Sequence, residues 1–73
     1  MATFREALRT VVDVGYVILN GQDDAKKEEY EKRAYALNTQ MHSDFGTLFP
    51  GHDEELSPAA EGLLDELVKL LAP

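Results

Sequence analysis

Apolar residues return every three or four positions from the start of the chain: Phe4, Ala7, Leu8, Val11, Val12, Gly15, Ile18 and Leu19. That is the period of a wide helical face, and Arg5, Glu6, Arg9 and Asp13 fall outside it. Thr3 followed three residues later by Glu6 has the form of a capping box, in which hydroxyl and carboxylate satisfy free amides reciprocally. Asn20 and Gly21 supply a C-terminal stop, so the pattern predicts a helix over about residues 3–20. The competing reading is a strand through the β-branched run Val11 to Ile18, with Asn20-Gly21 as a hairpin turn. No second strand pattern follows it, and the helix is preferred.

The second periodic segment opens on Asp23 and Asp24, which suit the positive end of a helix dipole. Tyr30, Ala34, Leu37, Met41 and Phe45 then form one stripe at helical spacing. Glu28 with Lys32 and Glu29 with Arg33 are i,i+4 pairs in the favourable order. The expected helix spans about residues 24–45 and ends at Gly46, with an earlier end at His42 the alternative because Ser43 and Asp44 are poor interior residues.

Gly46, Pro50 and Gly51 mark a loop whose large apolar residues are Leu48 and Phe49. These two either cap the core or meet a partner. A short helical turn near 53–56 is compatible with the pattern. Ser57-Pro58 then starts a last helix over about 57–71: a hydroxyl cap, and an imino acid where no amide hydrogen is missed. Its apolar residues, Ala60, Leu63, Leu64, Leu67, Val68, Leu70 and Leu71, cover more than half its circumference, leaving Glu61, Asp65, Glu66 and Lys69 on a polar strip with Asp65 and Lys69 paired. The excess suggests a second contact surface on this helix. The pattern as a whole predicts an all-α fold, a small three-helix bundle forming one domain over residues 1–73, with an acidic loop before the last helix.

Length and composition constrain how such a bundle is held. Seventy-three residues without a cysteine leave neither a disulfide framework nor a Cys/His zinc pattern, so apolar packing must supply the stability. With 44% hydrophobic and 29% charged residues the chain has an ordinary globular balance. No apolar run reaches membrane-spanning length, and the first residues lack the pattern of a secretion signal. A cytoplasmic location is the expectation, in the host cytoplasm for a virus-encoded chain.

Charge changes the picture most. Between Arg33 and Lys69 there is no lysine or arginine, while Asp44, Asp53, Glu54, Glu55, Glu61, Asp65 and Glu66 lie in that stretch. Residues 41–73 thus hold seven acids against one base, minus six of the formal net charge of -7. One-sided acidity attracts basic surfaces and repels nucleic acid and anionic membranes. Lys26, Lys27, Lys32 and Arg33 share their helix with Asp23, Asp24, Glu28, Glu29 and Glu31, the composition of a salt-bridged solvent face rather than of a phosphate-binding one.

Candidate chemistry is sparse. The chain has no Cys nucleophile, no Gly-x-Ser-x-Gly elbow, no phosphate-cradling glycine loop and no His-Glu-x-x-His, so a non-catalytic protein without a cofactor is expected. His42 and His52 flank the acidic loop, but with Asp44 and Asp53 to Glu55 they match no ordered metal site. The expected function is a small acidic regulator or adaptor that docks on a basic surface of a larger protein. Its most concrete form is a phage-type inhibitor of host transcription machinery, such as RNA polymerase, or of a defence nuclease. The candidate partner-binding residues are Asp53, Glu54, Glu55 and Glu61 for electrostatic steering, Phe49 for apolar contact, and Tyr35 as a partly exposed aromatic anchor. The alternatives are a structural module whose C-terminal helix pairs in a homodimer and, more weakly, a helix-turn-helix DNA-binding domain lacking its basic recognition helix.

Overall fold

The computed structural model describes residues 2–46 and 53–71. Three helices account for most of them: α1, Phe4–Gly21; α2, Asp24–Phe45; and α3, Pro58–Val68, which tightens into a 3-10 turn at Lys69–Leu71. The bundle architecture expected from the periodicity is the one observed, and each helix start agrees with its cap. Thr3 Oγ1 accepts the Glu6 amide at 3.3 Å, Asp23 Oδ1 the Lys26 amide at 2.9 Å, and Ser57 Oγ the Ala60 amide at 3.2 Å. The box at Thr3 differs in one respect: the Glu6 carboxylate receives the Thr3 hydroxyl, at 3.3 Å.

The ends of α2 and the start of α3 explain each other. Gly46 takes a left-handed conformation, φ 74°, and its amide donates to the His42 carbonyl at 2.8 Å, a closure favouring glycine. The helix does not stop at His42 because Asp44 has two uses in the last turn. Its carboxylate accepts Gln40 Nε2 at 2.9 Å and the Ser57 hydroxyl at 2.6 Å, fastening the end of α2 to the cap of α3.

The core is drawn from all three helices. Phe4, Ile18, Leu37, Met41 and Leu67 are the largest fully buried side chains, joined by Ala7, Val14, Ala34, Leu56, Ala60, Leu64 and Leu70. Phe4 and Phe45 meet edge to face with ring centroids 5.0 Å apart. Three expectations need correction. Val12 and Leu19, placed by spacing on the core face of α1, are each 69% exposed. The leucines of α3 are largely consumed by the core, since Leu64, Leu67 and Leu70 are buried and Leu63 packs against them. Lys69 pairs with Glu66 at 3.3 Å instead of with Asp65. Val68 and Leu71 stay exposed, at 46% and 40%, so the excess on the last helix is small and the larger one lies on α1.

Tyr30 sets the approach of α1 and α2. Its ring lies over Gly15 and its hydroxyl donates to the Val11 carbonyl at 2.8 Å. Burial pushes its phenol above the ordinary value of 10.0. The neutral form is thus favoured by folding, so this contribution is complete below pH 10 and is lost as pH rises through the folded-state value. Ionisation also removes the donated proton. Tyr30→Phe should flatten the alkaline limb of the stability curve, measured by urea melts between pH 8 and about 11; an unchanged limb would assign it to other groups.

Candidate functional site

The acidic segment before α3 is extended, not the helical turn its sequence allowed. Thr3 and Glu55 form an antiparallel bridge, in which the Phe4 amide donates to the Glu54 carbonyl at 2.9 Å and the Leu56 amide to the Ala2 carbonyl at 3.0 Å. Leu56, 4% exposed, is driven into the core immediately after it. With backbone groups satisfied by the N-terminal segment and the next side chain buried, the acidic positions fall outside: Asp53, Glu54 and Glu55 are all exposed. Glu61 sits behind them, half-buried, and its Oε1 accepts the Ala2 amide at 3.2 Å. The structure thus gathers four of the candidate residues around Ala2–Phe4, three presenting charge outward and Glu61 holding the N-terminal segment.

The remaining candidates lie elsewhere. Phe49, with Leu48 and His52, is outside the described residues. Tyr35 is 75% exposed on α2, about two and a half turns before Asp44. Beside it a depression of about 320 Å³ has Tyr35, Asn38, Thr39 and His42 on its described wall. The Asn38 Oδ1 atom there is buried without a hydrogen-bond partner among the described residues. His42 is exposed on that wall, and among the described residues no hydrogen bond joins its imidazole to the Thr39 or Tyr35 hydroxyl. Nor do any three His, Asp or Glu side chains among the described residues converge to hold a metal ion. No described helix is long and apolar enough to cross a membrane.

A second surface lies on α1, where spacing had put Val12 and Leu19 on the core face. Val12, Tyr16 and Leu19, each 69% exposed, follow one another at helical spacing along α1, flanking the half-buried Leu8 and Val11. The signal was present: the apolar positions of α1 are too many for the single face that Phe4, Ala7, Val14 and Ile18 occupy. What the sequence lacked was the placement of α2, which covers one flank and leaves the other open.

The basic side chains of α2 pair as expected. Glu29 holds Arg33 at 3.1 Å and Glu28 lies 3.9 Å from Lys32, while Arg33 also donates to the Glu66 carbonyl of α3. These cations are occupied within a charge-balanced helix face rather than arrayed for phosphate. No protein-family model matches the chain, and no curated protein or solved structure shows significant similarity to it.

Proposed function

We propose that the protein is a non-catalytic regulator or adaptor that docks on a basic surface of a larger protein through the segment Asp53–Glu55. The observation carrying this reading is the fastening of that segment. Its backbone is bonded to Ala2 and Phe4 and anchored by buried Leu56, so three neighbouring exposed acidic residues are held on an ordered chain. Ordered charges lose less entropy on docking than charges on a loose loop, and they steer encounter with a basic patch over about a Debye length. Basic patches of this kind are common on proteins that handle nucleic acid. Within this reading the most specific version is a virus-encoded modulator of host RNA polymerase or of a defence nuclease.

The test is a pull-down from host lysate at low and moderate salt, with an Asp53→Lys/Glu55→Lys variant as control. Both side chains are exposed, so the substitution should leave the helical circular dichroism intact. The native chain should retain a basic protein that the variant loses. With the purified partner, the variant should associate at least about tenfold more slowly near 10 mM salt, the difference shrinking at 0.15 M and above. Equal on-rates at low salt would remove the steering role from this segment.

A further inference from the structure

We propose that Val12, Tyr16 and Leu19 form the contact of a weak homodimer, in which α1 packs antiparallel against α1 of a second copy with Tyr16 near the two-fold axis.

Two arguments from charge favour a second copy. The first concerns where two chains of net charge -7 can approach. Residues 1–20 balance Arg5 and Arg9 against Glu6 and Asp13, whereas residues 41–73 carry minus six. Contact through α1 joins the two copies at their electroneutral segments rather than at the acidic ones. The second argument is register. A two-fold antiparallel contact centred on Tyr16 brings each residue before Tyr16 opposite one the same distance after it. Arg9 lies seven residues before Tyr16, about 10 Å along the helix, and the Asp23–Asp24 corner, which begins seven residues after Tyr16, lies just past the end of α1 where the chain turns into α2. Arg9 is exposed and forms no ion pair among the described residues. Asp24 is fully exposed and, among the described residues, held only by a 3.9 Å surface contact to Lys27. Each copy therefore offers one cation and one acidic corner on opposite sides of an apolar centre, an arrangement complementary to itself. Asp13, three residues before Tyr16 and four after Arg9, borders the stripe on the side away from Leu19.

The size of the stripe fixes the strength. Three side chains and their margins on one helix are well below the roughly 800 Å² per partner of a stable standard interface. The dimer should thus form in the range of tens to hundreds of micromolar rather than nanomolar. This proposal does not rest on the acidic segment, which is bonded to Ala2–Phe4 at the start of α1 rather than to the stripe.

Sedimentation velocity over about 5 μM to 1 mM at 0.15 M salt tests it. The native chain should shift from monomer to dimer across that range, and Tyr16→Ser should stay monomeric while keeping its helical circular dichroism, since Tyr16 is 69% exposed. Arg9→Asp and Asp24→Arg, each alone, should weaken association at least tenfold by placing like charges opposite one another. Mixed one to one, these two variants should form a heterodimer, because both cross-pairs are then again opposite in sign. A native chain that remains monomeric at 1 mM overturns the proposal and leaves the stripe to a different protein. A dimer indifferent to Tyr16→Ser, or one not restored by mixing the charge variants, overturns the placement on α1. Should Asp24→Arg fail to fold, Asp24→Lys paired with Arg9→Glu poses the same question.

Discussion

Phe4→Ala should unfold a large fraction of the protein at physiological temperature. Phe4 is 0% exposed, its ring stands edge to face on Phe45 at 5.0 Å, and it begins α1 at the point where the N-terminal segment crosses to the acidic one. Truncating a buried phenylalanine costs about 3–5 kcal/mol in lost transfer energy and cavity formation. A domain of this length holds roughly 4–11 kcal/mol in all, so one substitution removes between about a quarter and the whole of the stability. Collapse into the space is restricted, because the Phe4 amide is bonded to Glu54 and the neighbouring Ala2 amide to Glu61. Urea denaturation followed by circular dichroism would measure the loss as a lower midpoint. The same variant should loosen the presentation of Asp53–Glu55, seen as faster amide exchange at Leu56, whose amide donates to Ala2. A loss below about 1 kcal/mol would mean that the Phe4 site repacks, contrary to the density of its surroundings.

The helices were legible because their signals agree with one another. At Ser57-Pro58 a side-chain cap, a fixed φ and the start of an apolar stripe all coincide, and at Gly46 the last apolar position is followed by the residue that tolerates a positive φ. Val12 and Leu19 were misplaced for a different reason. Helical spacing reports which residues share a side of α1, but the width of the buried side depends on where α2 crosses, and that is set by Tyr30 lying on Gly15, nineteen residues away from Val11 in its hydrogen bond. The leucines of α3 failed in the opposite direction: a short helix packed against both others can bury most of its circumference, so most of its apolar excess was core, with Val68 and Leu71 left exposed.

The candidate site was legible in charge and not in shape. The absence of bases between Arg33 and Lys69 located Asp53, Glu54 and Glu55, but a bridge between Thr3 and Glu55 joins positions too distant in sequence for local pattern to show. The same bridge explains Glu61, which sequence reading grouped with the outward charges and which the structure uses to hold the Ala2 amide. An acidic residue one turn into a helix looks the same in sequence whether it faces water or a neighbouring amide.

Alanine should have opposite effects at two glycines that spacing alone treats alike. Both Gly15 and Gly62 lie inside helices, where alanine is favoured over glycine by about 1 kcal/mol. At Gly62 an added methyl group would meet nothing within 4 Å, so Gly62→Ala should stabilise the protein by up to that amount. At Gly15 the new carbon would stand 2.5 Å from the Tyr30 hydroxyl oxygen and 2.9 Å from the ring carbon bearing it. Tyr30 must then move, giving up its bond to the Val11 carbonyl and part of its packing on the core, or α1 and α2 must separate. Overpacking of this kind costs about 1–3 kcal/mol, more than the helical gain returns, so Gly15→Ala should destabilise by roughly 1–2 kcal/mol. The two substitutions should therefore differ by about 2–3 kcal/mol in urea melts. The cause is isolated by a double-mutant cycle: in a Tyr30→Ala background the obstacle is gone, and Gly15→Ala should become neutral or stabilising. If it remained as harmful there as in the native chain, the close approach of the two helices would rest on contacts other than the tyrosine over the glycine.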